Sequence, residues 1–302
     1  MTEPKIHRQE PRSNLPQADS GVEALSRIRT LLGDKAAERF VPLWRQWVRS
    51  GFISGERFNL IGDKMLAACI KLGGLKPWDS VLEVGCGIGR NTFPLLGHLA
   101  PSAAYEGFDV TTSGIRWLRR YVTPKFAHFR FQQAAKIYSG LYNPQAGGDA
   151  ATFKFPYPKG SFDLALAVSV FTHMAPLAVS HYLSEIARTL KPHGRLLCTC
   201  YLLDDSALAM VRAGRSAIGF PNDFGSYRLQ KVSMPEFAVA FDKNYFLQSA
   251  NEAGLNLKGK IKPGSWRNEG GHTGQDLVVL EKRLEKNASC NSSAVPTRAG
   301  AG

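Results

Sequence analysis

Apolar side chains recur at intervals of three and four over residues 22 to 72: Val22, Leu25, Ile28, Leu31 and Leu32, then Phe40, Leu43, Trp44, Trp47 and Val48. That spacing predicts amphipathic helices, whose aromatic stripe serves either as core packing or as a cover over a ligand. From Leu75 the pattern changes to short apolar runs separated by helical stretches. Strands are predicted near 80–84, 104–109, 127–132, 162–168 and 194–202, with helices near 90–99, 112–121 and 176–190 between them. Lys191-Pro192-His193-Gly194 closes the last of these helices. A helix near 243–253, ended by Gly254, and strands near 255–261 and 275–282 complete the order. Such alternation predicts a doubly wound, mostly parallel sheet with helices on both faces. Residues 203–242, rich in Gly, Pro and aromatic side chains, are too long for an ordinary connection and read as a cap or a functional insert. The organisation expected is therefore a helical extension over 21–74, one domain over 75–284 with its insert, and disordered ends at 1–20 and 285–302.

Composition sharpens this in three respects. The longest apolar run, Leu164 to Phe171, is far short of the ~20 residues that span a bilayer. The first twenty residues hold three prolines, several charges and no apolar core, so they do not read as a secretory signal, and a cytoplasmic protein is expected. The five cysteines, Cys69, Cys86, Cys198, Cys200 and Cys290, show no paired metal-ligand spacing; neither a disulfide framework nor a bound metal is expected. A net charge of +13 allows attraction to nucleic acid, anionic lipid or acidic small molecules. The basic residues are scattered, however, and the densest group, Arg116, Arg119 and Arg120, has the spacing of a solvated helix face.

The chemistry concentrates where strand Ser80-Val81-Leu82-Glu83-Val84 runs into Gly85-Cys86-Gly87-Ile88-Gly89 and then into Arg90-Asn91-Thr92-Phe93. Glycines remove the Cβ atoms that would keep a ligand off the backbone, and the helix that follows offers N–H groups at its start. A dinucleotide fold wants G-x-G-x-x-G, and Arg90 occupies the third glycine position after Gly85 and Gly87, which disfavours NAD or FAD. Glu83 is placed to compensate a cationic ligand end. Twenty residues beyond Gly89, Asp109 ends the strand Tyr105-Glu106-Gly107-Phe108-Asp109, where a carboxylate accepts ribose hydroxyls or else caps the next helix.

VLEVGCGIGR, FDV, FPYPKGSFDLALAVSVFTHM and YLSEIARTLKPHGRLLCTCYLL, in that order, resemble the class I S-adenosylmethionine-dependent methyltransferases over residues 75 to 202, with weaker similarity through GQDLVVLEK. The resemblance implies a Rossmann-like, seven-stranded, mostly parallel sheet and S-adenosyl-L-methionine as cofactor. It implies that Gly85, Cys86, Gly87 and Gly89 line the methionine and ribose parts with Glu83 nearby. Asp109 would hold the ribose, and Val110 would contact adenine. Ser169 to His173 would stand at the strand end facing the methyl group. The family often has an acid after the third strand for the adenine amino group; Gln132-Gln133-Ala134-Ala135-Lys136 stands there instead, leaving Gln133 or the backbone to substitute.

Methyl transfer is an in-line displacement in which alignment supplies much of the rate, so an acid or base is optional. For a hydroxyl acceptor His173 is the candidate base. No N-P-P-Y, D-P-P-Y or Pro-Cys stands at the fourth strand, and no carboxylate cluster suggests magnesium, which argues against DNA-base and catechol-type enzymes. A small-molecule hydroxyl or amine acceptor is favoured, with Trp44, Tyr227, Trp266 and Arg267 as candidate acceptor contacts. The rivals are an RNA-modifying enzyme and a non-catalytic S-adenosylmethionine-binding protein.

Overall fold

In a computed structural model the described residues are 22–49, 55–268, 271 and 273–284. The expectations for 1–20 and 285–302, Cys290, and the side chains of Val22, Trp47 and Val48 lie outside them. Strands β1 (Val81–Val84), β2 (Tyr105–Asp109), β3 (Phe129–Gln133), β4 (Phe162–Ala167) and β5 (Leu190–Leu203) stand in the order β3-β2-β1-β4-β5, all parallel. Beyond β5, β10 (Asp276–Lys282) pairs antiparallel, and β9 (Leu255–Leu257) pairs antiparallel with β10. These seven strands fall on the segments marked by the apolar runs. Every residue of β1 is buried, as a central parallel strand covered on both faces requires.

The insert is a further part of the sheet rather than a separate cap. After helix α7 (Asp205–Arg212), the short strands β6 (Asn222–Asp223), β7 (Tyr227–Leu229) and β8 (Val239–Asp242) extend it, and β8 runs parallel to Tyr201–Leu203 at the end of β5. β5 thus forks: Arg195 to Cys198 lie between β4 and β10, and its last three residues carry the insert. Asp204 and Asp242 start α7 and α8 (Lys243–Glu252) by accepting Ala207 N–H and Tyr245 N–H, the capping role their short carboxylates suit.

Helices α1 (Val22–Leu32), α2 (Asp34–Arg49) and α3 (Gly55–Lys71) pack on one sheet face with α4 (Thr92–Leu96) and α5 (Thr112–Tyr121). Phe40, Trp44, Phe58, Phe93 and Trp117 meet there edge to face, with ring centroids 4.9–6.2 Å apart. Trp44 is 6 % exposed within this cluster; it packs the core and does not reach an acceptor site. The opposite face is covered by α6 (Pro176–Thr189) and α8, around Phe171, Tyr182, Ile186 and Phe246. α6 opens with Pro176, whose missing N–H has no helical partner to lose at that position. Among the described residues no helix is long and apolar enough to cross a membrane, and no group of three or more His, Cys, Asp or Glu could hold a metal ion.

Candidate functional site

Where β1 turns into α4 the backbone takes the left-handed region three times, at Gly85 (φ 71°), Gly87 (φ 55°) and Gly89 (φ 96°). Gly85 carries a second constraint: a Cβ there would lie 2.6 Å from Val170 Cγ2, at the end of β4. Above Gly87 the space is open to 4 Å, which is what a ligand approaching the backbone needs. From below, α5 presses Gly114 against the turn so closely that a Cβ on it would stand 2.5 Å from Gly87 O.

Asp109 binds this turn to β2. Its Oδ2 accepts Gly87 N–H at 2.8 Å, and its Oδ1 accepts Thr111 N–H at 2.7 Å and the Thr111 hydroxyl at 2.6 Å. Thr111, not Asp109, is the N-cap residue of α5. The backbone of Val110 also pulls on this carboxylate, so its acceptor sites face the turn and the start of α5. Burial pushes the Asp109 carboxyl above its usual range, against the pull of those hydrogen bonds. Gln133 is the direct β3 register partner of Asp109 and donates to Thr112 Oγ1, and Val110 is half-buried beside them. The residues present fit S-adenosylmethionine in having an open glycine cradle with the Asp109 carboxylate beside it, and Val110 and Gln133 next to Asp109.

Two of the expected contacts are corrected. Glu83 is 1 % exposed, and its carboxylate accepts Asn91 Nδ2 at 2.9 Å, the Thr92 hydroxyl at 3.2 Å and the Tyr105 hydroxyl. It fastens the turn from beneath instead of facing a ligand. The Cys86 side chain is likewise 3 % exposed and packs in the core, where burial raises its thiol pKa, leaving only its backbone to the turn.

Burial pushes Glu83 up to about 7, against hydrogen bonds from Tyr105, Asn91 and Thr92 that pull it down. Raising the pH through the ordinary carboxylate range therefore strips the proton from the unfolded chain first, and stability falls between about 4.5 and 7 and then levels. That 2.5-unit window amounts to about 3 kcal/mol. Urea unfolding at pH 5 and pH 8 is expected to show this decline in the wild type and to lose most of it in Glu83→Gln; equal slopes in the two proteins would contradict the assignment.

At the end of β4, Ser169 is held in the left-handed region at φ 58°, a strained conformation for a non-glycine residue. Ser169 N–H donates to Thr199 Oγ1 at 2.8 Å. The Ser169 and Thr199 hydroxyls both donate to Gln275 Oε1, at 3.2 and 2.6 Å. Neither Thr199 nor Gln275 stood out in the sequence, because each lies on a different strand or loop and is polar only towards this bend. Immediately after it, a 3-10 turn over Phe171–His173 brings His173 Nδ1 to 2.9 Å from Glu236 O, in the insert. The Glu236 carbonyl accepts from the ring at Nδ1, and the backbone of Phe237 also bonds the imidazole. Burial pulls the imidazole below the usual histidine range.

Trp266 and Arg267 are also corrected. They are 2 % and 4 % exposed and serve the buried carboxylate of Asp276. Asp276 accepts Leu202 N–H (2.8 Å), Gly264 N–H (2.9 Å), Trp266 Nε1 (3.1 Å), Arg267 Nε (2.9 Å) and Arg267 Nη2 (3.1 Å). Arg267 Nη1 reaches Asp204 at 2.9 Å. This network ties β10 to the end of β5 and is structural. Tyr227 is half-buried on β7, stacked on Phe224 with centroids 5.1 Å apart, away from the turn. An open cleft of about 480 Å³ between Glu106, Arg119 and Arg130 at the β3 edge includes none of the turn residues.

Residues 82–198, which hold the turn, Asp109 and the β4 end, match the family model described as a methyltransferase domain. Demethylmenaquinone methyltransferase of Symbiobacterium thermophilum is 30% identical over 190 residues, 60% of this chain and 62% of that protein. The tRNA N(3)-cytidine methyltransferase METTL2B of Homo sapiens is 24% identical over 140 residues, 46% of this chain and 34% of that protein. The chain thus spans less than two thirds of the length of these curated relatives. Among solved structures, the PH0226 protein from Pyrococcus horikoshii OT3 has the same fold, with a TM-score of 0.50 at 17% identity, covering 73% of this chain and 89% of that one. Residues 82–198, lying on the strands that build the cradle, are thus similar to a methyltransferase domain, for which S-adenosylmethionine is the methyl donor.

Proposed function

We propose that the chain transfers the methyl group of S-adenosylmethionine to a hydroxyl or amine of a small, largely apolar molecule. The observation that carries this reading is the setting of His173. It lies beside the β3–β4 connection and the insert, whose surroundings expose the apolar side chains Tyr138, Leu177, Val232 and Met234 alongside Lys136, Lys154 and Lys231. Bound at the cradle, the cofactor supplies an already activated methyl sulfonium. The chain's own part is to hold the donor with the glycine turn and Asp109, to exclude water, and to present the neutral His173 imidazole to the acceptor proton. The relative from Symbiobacterium thermophilum, whose name gives demethylmenaquinone as the acceptor, supports the small-molecule part of this reading.

An imidazole held below the usual histidine range is neutral above pH 7, so turnover governed by it is expected to be flat from pH 7 to 8. His173→Ala is expected to lower turnover by about 100-fold or more, the scale of a general base, while S-adenosylhomocysteine binds within about two-fold of wild type. Both are measured by transfer of labelled methyl to a panel of phenols, quinols and amines. Undiminished turnover in the variant would remove the base; transfer to none of the panel would remove the small-molecule reading.

The net charge of +13 and the similarity to a tRNA-modifying enzyme favour an RNA acceptor as the second reading. An RNA acceptor neutralised by several basic side chains loses affinity steeply with salt, about 10³-fold or more between 50 and 200 mM for six or more contacts. Binding of a tRNA pool measured at both salts is expected to be weak and flat; a steep slope would favour RNA.

A further inference from the structure

Twenty-eight residues, 134–161, connect β3 to β4, and their first half is a constructed turn. Ser139 and Asn143 form an antiparallel bridge, with Ser139 N–H to Asn143 O at 3.2 Å and Asn143 N–H to Ser139 O at 2.9 Å. Asn143 Nδ2 donates back to Ala135 O and Ile137 O, at 3.0 and 2.9 Å, and Tyr142 N–H reaches Ser139 Oγ at 3.3 Å. A turn with this many internal bonds fixes the direction of the residue at its tip, which is Tyr142.

The turn is also tethered from outside. Glu236 Oε2 accepts Gly140 N–H at 2.6 Å and the Ser139 hydroxyl at 3.1 Å, and the carbonyl of the same Glu236 accepts His173 Nδ1. One residue of the insert therefore holds both the Tyr142 turn and the imidazole at the methyl-facing strand end. The two rings meet edge to face, with centroids 5.8 Å apart and planes at 83°. Tyr142 also stands within electrostatic range of Asp109 and Arg90: burial pushes its phenol up to about 12, Asp109 pushes it further and Arg90 opposes. Its neighbours thus come from the ends of β1, β2 and β4, the three strands that converge on the cradle. The ring is 39 % exposed, spanning from those neighbours to solvent.

We propose that Tyr142 is the cover of the cofactor site, a positioning residue whose ring closes over the bound S-adenosylmethionine from the β3–β4 turn and retains it beside His173 until transfer is complete. This rests on the methyltransferase reading and adds to it a residue outside the glycine, acidic and strand-end motifs. What the site requires of Tyr142 is an aromatic face: a planar ring covers much area with little rotamer freedom to lose, and it attracts the sulfonium charge. The hydroxyl is dispensable.

The test is calorimetric binding and stopped-flow release of S-adenosylhomocysteine and S-adenosylmethionine with the full chain. Tyr142→Ala is expected to weaken S-adenosylmethionine by about ten-fold, and the uncharged S-adenosylhomocysteine less, with the change in the release rate. Tyr142→Phe is expected to bind within about two-fold of wild type, a rescue that a purely structural loss would not show. Glu236→Ala, which leaves the ring in place but unties its turn, is expected to speed release in the same direction and serves should Tyr142→Ala fold poorly. Trp78→Ala, on the exposed connection before β1, is the control expected to change nothing. Wild-type affinity and release rates in a folded Tyr142→Ala, or in Glu236→Ala, overturn the proposal. Absence of binding by the wild type would instead overturn the cofactor reading on which it rests.

Discussion

Gly85→Ala is expected to cost the chain about 100-fold or more, divided between S-adenosylmethionine binding and fold stability. Two costs meet at the added Cβ. The left-handed φ of 71° costs a residue with a Cβ about 1–2 kcal/mol. The added methyl also arrives 2.6 Å from Val170 Cγ2, and overpacking of that kind costs about 1–3 kcal/mol. The chain escapes either by keeping the turn and losing stability or by moving the turn away from β4 and spoiling the cradle. Calorimetric titration paired with thermal unfolding distinguishes the two, and their sum is what is fixed. An alanine variant with wild-type affinity and an unchanged melting temperature would mean that Val170 does not close on the turn.

Asp276→Ala should be the most damaging change to stability. It strands an indole N–H and two backbone N–H groups in the interior and leaves the Arg267 guanidinium only Asp204 and Leu202 O, and breaking a buried ion pair from one side costs about 3–5 kcal/mol. Set against a typical 5–15 kcal/mol for a whole domain, such a loss leaves a large unfolded fraction at growth temperature. Replacing both partners, as Asp276→Leu with Arg267→Met, is expected to recover part of the loss, because no uncompensated charge remains. Urea unfolding of the single and double variants checks the sign; a double variant no more stable than the single would show that the backbone N–H groups dominate.

The contrast between these two sites shows what a linear sequence discloses. The turn was legible because its requirement is local: three alternate glycines after an apolar strand have few uses, and an acid at the end of the next strand has fewer still. The core strands were legible because burial on both faces leaves unbroken apolar runs. Trp266 and Arg267 misled because an indole and a guanidinium look the same in sequence whether they await a ligand or a carboxylate nine or ten residues on. Glu83 misled for a related reason, since the side it faces depends on Asn91, Thr92 and Tyr105 closing around it. The insert strands β6 to β8 escaped notice because strands of two to four residues, with Asn222, Asp223 and Arg228 among them, carry no period to read. Tyr142 was equally invisible: its position is set by Glu236, 94 residues away.

The fork in β5 bears on how such a chain diversifies. Since the insert's strands pair with β5 only through Tyr201, Leu202 and Leu203, while the strand's earlier residues are committed to β4 and β10, the segment proposed to face the acceptor joins the sheet across a seam three residues wide. Exchange of the segment between relatives at that seam would carry Glu236 with it, and with Glu236 the anchoring of both His173 and the β3–β4 turn. Chimaeras designed to change the acceptor therefore have to travel as a pair of segments, 134–148 together with 203–242, and a swap of one alone would produce a folded protein whose donor site no longer closes.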